Sequence, residues 1–170
     1  MNRRTAVKSL GVLLGVAVSP GVARAISAGY RAPAPGSPYR VLSAEQGELL
    51  ATLAEIIIPA TDTPGARAAR VDAYIDGLLA DVFTESEREQ FLAGLADVDA
   101  RAKAAHGVIF VEATPERRVT LMQAMAEEGK NAPPRPRRRR SQPEAGAFFP
   151  WLKELTVVGY YTSYNPATCT

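Results

Sequence analysis

Cysteine and histidine are almost missing from this chain: its 170 residues include one of each, Cys169 and His106. A structural zinc site takes about four Cys or His ligands and an iron–sulfur cluster about four Cys. Both are excluded within the chain, as is an internal disulfide. Gly-x-Gly-x-x-Gly and a phosphate loop are absent too, so no nucleotide cofactor is indicated. Acid is missing from two stretches. Residues 1–25 hold Arg3, Arg4, Lys8 and Arg24, and residues 130–140 hold Lys130, Arg135, Arg137, Arg138, Arg139 and Arg140, with no Asp or Glu in either. Those segments take ten of the 20 basic residues, leaving ten against 18 acidic ones. The formal charge of +2 therefore hides an acidic body, and a general nucleic-acid-binding reading loses most of its support.

The first 25 residues read as an export signal: a basic start, a short apolar run from Leu10 to Val18, and Ala23-Arg24-Ala25, whose small residues suit cleavage after Ala25. The run is far short of the ~20 residues of a membrane-spanning helix. Arg3, Arg4 and Lys8 match the spacing of a twin-arginine signal, although Asn2, Ala6 and Val7 replace its favoured residues. That route carries folded cargo, so an escort can bring a partner that has no signal of its own.

Beyond the signal the pattern is helical. Residues 26–41, with Pro33, Pro35, Pro38, Gly29 and Gly36, read as a flexible leader. Ser43-Ala44-Glu45-Gln46 and Thr84-Glu85-Ser86-Glu87 are capping boxes. The first opens a helix with Leu49, Leu50, Leu53, Ile56 and Ile57 on one face, ended near Ile58 by Pro59. A second helix is expected from about Arg67 to Val82. A third runs from Glu85 to about His106, with Gly107 as its C-terminal cap. Val108 to Val111 reads as a short extended piece. Thr114-Pro115-Glu116 opens a fourth helix, with Val119, Met122, Met125 and Ala126 on its buried side. After a Pro/Arg-rich insert (130–146), a last helix from Phe148 to Ser163 places Phe149, Leu152, Leu155 and Val158 on one face. The expected fold is all-α: one small domain of four to five helices over residues 42–163, with a short tail at 164–170.

Little in the sequence suggests chemistry. His106 lies at an expected helix C-terminus, where its charged form suits the helix dipole. The pairs Asp72/Asp76, Asp97/Asp99 and Glu127/Glu128 read as solvated helix faces, and Met122 and Met125 as core. Proline on both sides of Arg137–Arg140 prevents a basic helix, so that run reads as a solvated insert. Cys169 has no base nearby in sequence. No catalytic, cofactor-binding or metal-binding residue is assigned.

Three stretches together resemble the gluconate 2-dehydrogenase subunit 3 family. The first runs from Leu42-Ser43 through Leu53-Ala54-Glu55-Ile56-Ile57-Ile58-Pro59 into Thr61-Asp62-Thr63-Pro64-Gly65-Ala66. The second is Phe110-Val111-Glu112 followed by Thr114-Pro115-Glu116. The third is Phe148-Phe149-Pro150-Trp151-Leu152-Lys153-Glu154-Leu155-Thr156-Val157-Val158-Gly159-Tyr160-Tyr161-Thr162-Ser163. The resemblance implies the small, cofactor-free subunit of a periplasmic, membrane-associated dehydrogenase of sugars or polyols. In such complexes a large subunit holds FAD and oxidises the alcohol, and a membrane-anchored cytochrome c subunit carrying haem c commonly takes the electrons. The small subunit escorts the large one through the twin-arginine translocase. Two places depart from the family: the arginine-rich insert, and a tail shorter than usual, both compatible with truncation or a frameshift.

Two other readings compete. A free-standing periplasmic enzyme acting on a sugar would need a nucleophile–base pair or a metal cluster, which the sequence lacks. A free-standing exported binding or structural protein would differ only in having no redox partner. On the dehydrogenase-subunit reading the aromatic-rich last helix is the expected contact. Phe148, Phe149, Trp151, Tyr160 and Tyr161 are candidate interface residues, with another face of the helix packing on Leu49, Leu53 and Ile57.

Overall fold

A computed structural model describes residues 20–28, 38–131 and 148–163. Among these are six α-helices and no strand: α1 (Pro20–Ala28), α2 (Ala44–Ile57), α3 (Val71–Asp81), α4 (Glu85–His106), α5 (Pro115–Asn131) and α6 (Phe148–Ser163), with a 3-10 turn at Phe110–Glu112. The fold is all-α and a single domain. Five helices form the body, as expected; α1 adds a sixth that the sequence did not indicate. Arg3, Arg4, Lys8, Arg137–Arg140 and Cys169 lie outside the described residues.

Both capping boxes form. The Gln46 N–H donates to the Ser43 hydroxyl at 3.2 Å and the Ser43 N–H to Gln46 Oε1 at 2.9 Å. Thr84 and Glu87 repeat the exchange at 3.3 and 2.9 Å. Each box satisfies two of the backbone groups that a helix end otherwise leaves open. Gly107 ends α4 at φ +76°, a conformation that favours glycine.

α3 is central, packed against α2 and α6, while α6 also meets α5. Leu50, Leu53, Ile75, Leu78, Leu79, Phe91, Leu95, Phe110, Leu152 and Leu155 are fully buried, each contributing roughly 1.5–3 kcal/mol by leaving water. At one end Trp151 stacks on Phe83 (centroids 5.4 Å apart, planes at 14°) and meets the edge of Phe91 at 88°.

Several expectations change. α3 begins at Val71 rather than Arg67, because Arg70 adopts a left-handed conformation (φ 55°, ψ 42°) that breaks the helix. The stretch expected to be extended at Val108–Val111 instead winds into the 3-10 turn, whose Phe110 N–H donates to Asp99 at 2.9 Å. Val119 is 40% exposed while Met122 and Met125 are buried, so the inner stripe of α5 starts a turn later. On α6 the buried positions are Phe148, Trp151, Leu152, Leu155, Thr156, Gly159 and Tyr160. This face is rotated from the expected one, leaving Phe149 and Val158 half-buried.

The largest correction concerns Asp72 and Asp76, which are 3% and 2% exposed, not solvated. Asp76 accepts the backbone N–H groups of Arg40 (2.7 Å), Val41 (3.0 Å) and Leu42 (2.9 Å). Asp72 accepts the Tyr39 hydroxyl at 2.7 Å and pairs with Arg70 at 3.3 Å. Residues 39–41, expected to belong to a flexible leader, are thus pinned to α3. Burial, with the Asp72 carboxylate beside it, pushes the Tyr39 phenol above its ordinary pKa.

Candidate functional site

Two of the three stretches that carry the family resemblance, the first and the third, meet in space. Residues 58–67 form a loop between α2 and α3, and three α2 side chains hold it. The Glu55 carboxylate accepts the Ala60 N–H at 3.0 Å and the Arg67 N–H at 2.8 Å. Glu48 takes the Arg67 guanidinium at 2.8 and 2.9 Å, and the Thr52 hydroxyl accepts from the same guanidinium at 2.9 Å. Hydrogen bonds from Arg67 hold the Glu48 carboxyl below the usual glutamate pKa, outweighing the opposing effect of partial burial.

From α6, the Tyr160 hydroxyl donates to the Pro64 carbonyl at 2.7 Å, across 96 residues of sequence. The Tyr160 ring is buried, and its edge meets Tyr161, whose centroid is 5.5 Å away. Tyr161 is 66% exposed, and Pro59 to Thr63 of the loop are exposed too. A tyrosine and a braced loop therefore face solvent at one corner of the domain. A hydroxyl on a flat ring with few rotatable bonds suits protein contact.

The five aromatic candidates part company here. Phe148 and Trp151 lie in the domain's own core with Phe91, and Tyr160 is buried as the latch on Pro64. Their rings are not displayed on the surface of this fold. Phe149 is half-buried and Tyr161 exposed, so those two remain available to a partner. α6 also packs on α2, as anticipated. Ala23 is exposed and Ala25 buried, both on α1.

The sequence reasoning missed the Glu55 and Tyr160 latches and the buried aspartates. A signal for the latter was present: every other α3 residue from Val71 to Leu79 is apolar or glycine, and a helix apolar all round is buried, its carboxylates with it.

Among the described residues no three His, Cys, Asp or Glu side chains gather closely enough to hold a metal ion. His106 sits in the last turn of α4. Asp97 and Glu128 both pair with Arg101, at 2.7 and 2.8 Å, which ties α4 to α5. No described helix is long and apolar enough to cross a membrane.

No protein of curated function and no solved structure matches the chain. The family model for gluconate 2-dehydrogenase subunit 3 matches residues 44–168, a span that contains both the braced loop and the helix that latches it, and the chain belongs to that family.

Proposed function

We propose that this chain is the non-catalytic small subunit of a periplasmic, membrane-associated, FAD-dependent dehydrogenase of a sugar or polyol. Family membership carries the reading, and it is consistent with a non-catalytic subunit of a dehydrogenase complex. The chain supplies an export signal through Arg3, Arg4 and Lys8 and escorts a signal-less large flavin subunit through the twin-arginine translocase. It then stays bound and stabilises that subunit, while a cytochrome c subunit carries the electrons onward. The chain itself holds neither FAD nor haem.

The corner formed by Tyr161 and residues 59–63 is the contact to the large subunit. A tyrosine at the centre of an interface carries about 2 kcal/mol or more of binding free energy. Replacing Tyr161 with Ala should therefore weaken co-purification of the large subunit at least tenfold, leaving the melting temperature of the small subunit unchanged. Exchanging Arg3 and Arg4 together for Lys should leave both subunits in the cytoplasm. If the subunit reaches the periplasm normally after that double change, the route is wrong. A subunit that elutes alone after co-expression with the flavin protein would defeat the escort role.

A further inference from the structure

Helix α1 carries two messages in the same residues. In sequence it contains Ala23-Arg24-Ala25, the small-x-small pattern of a processing site with the cut after Ala25. In the fold it is a helix seated on the body. Val22 is fully buried and Ala25 is 1% exposed; three residues apart, they share one helical face. A Cβ on Gly21 would come within 2.5 Å of the Phe83 ring, so the helix approaches as closely as only glycine permits. Arg24 reaches Glu87 Oε2 at 2.5 Å. The same oxygen accepts the Thr84 N–H at 2.9 Å and the Thr84 hydroxyl at 3.0 Å. The segment is therefore held by apolar contact at Phe83 and by charge at the first turn of α4.

A peptidase that takes its substrate as an added strand needs extended backbone, with alternate side chains entering its pockets. In a strand Ala23 and Ala25 point the same way. In α1 they point to different sides, Ala23 into solvent and Ala25 into the body. We propose that the folded precursor protects its own processing site: docking of residues 20–25 on Phe83 and Glu87 withholds the Ala25–Ile26 bond until α1 undocks. The inference rests on the export reading above. Cleavage is a hydrolysis in which the water oxygen joins the Ala25 carbonyl and the amide nitrogen leaves as the new amine of Ile26. Its rate follows the fraction of chains in which α1 is open when opening and closing are fast. Processing also removes Val22 and Ala25 from the core and uncovers one side of Phe83.

The test compares the full chain, purified from the cytoplasm of cells lacking the twin-arginine translocase, with a synthetic peptide of residues 1–40. Both are incubated with purified signal peptidase in detergent and read by intact mass. The peptide should be cut after Ala25, and the folded chain at least tenfold more slowly. Gly21→Leu, whose side chain cannot fit against Phe83, should accelerate cutting of the folded chain at least fivefold and leave cutting of the peptide unchanged. Glu87→Gln keeps the capping geometry without the charge and should accelerate it less. Hydrogen exchange of the amides of residues 22–25 should be slower in the wild-type chain than in the peptide, and this protection should be lost in Gly21→Leu. Equal cutting of folded chain and peptide, or no acceleration by Gly21→Leu, overturns the proposal. A peptide that is not cut after Ala25 removes the processing site itself, and the exchange data then judge the docking separately.

Discussion

α3 and α5 both carry carboxylates close together in sequence, and the two helices treat them in opposite ways. All nine residues of α3 from Val71 to Leu79 are buried, including Asp72 and Asp76. α5 is six residues longer, yet only Met122 and Met125 are buried among its described side chains, and Glu127 and Glu128 face solvent. The acids of α3 are used as internal acceptors that fix the chain leading into α2. Those of α5 make surface pairs, Glu127 with Lys130 and Glu128 with Arg101. A buried acceptor with three N–H donors leaves costly orphans when removed, whereas exposed pairs contribute about 0–1 kcal/mol. The same chemical group, a carboxylate, thus differs several-fold in worth according to what surrounds its helix.

The comparison can be sharpened, beginning at the buried end. Trp151→Ala removes the ring between Phe83 and Phe91 and should cost about 3–5 kcal/mol, read as a lower midpoint in urea with an unchanged slope. A loss under about 1 kcal/mol would mean that the aromatic cluster is not core. Asp76→Ala should cost about 3 kcal/mol by orphaning the Arg40, Val41 and Leu42 amides. Exchange at those three amides should then speed up before the helices open, and unaltered protection would show that Asp76 does not pin them. On α5, Met122→Ser should destabilise by about 2 kcal/mol and Val119→Ser by less than about 0.5 kcal/mol. Equal effects would erase the one-sidedness of that helix.

A small effect is also expected from electrostatics. Because the Glu48 carboxyl is depressed by Arg67, its contribution is present above the ordinary glutamate pKa and is lost as pH falls through the lower, folded value. Glu48→Gln should therefore destabilise by under about 1 kcal/mol at pH 7. The gap to wild type should close as pH drops from about 5 to below 4. A gap that stays constant over that window would show that the loop is held by Glu55 and Tyr160 without help from the charge.

How legible the molecule was in its sequence varied with the range of the interactions. Capping boxes at Ser43 and Thr84 and the Gly107 stop are written within four residues, and all three stand in the structure where the spacing puts them. Arg70 carries no local mark of its left-handed turn, so α3 could not be started correctly. The candidate contact corner was half legible. The aromatic density of the last helix marks Tyr161 together with four aromatic neighbours, and nothing in a run of apolar residues says which of them turn inward.

What the sequence determined by itself was the class of the protein: helical periodicity, helix ends set by local hydrogen bonds, and a family pattern over most of the chain. These are short-range properties, fixed by backbone donors and side chains a turn apart. What only the tertiary structure decided was which polar groups are buried and which surfaces stay open. Asp76 meets its donors 34 to 36 residues away, Tyr160 meets Pro64 at 96, and Arg24 meets Glu87 at 63. Contacts over such distances arise from packing, because a buried polar group must find a partner wherever the fold brings one.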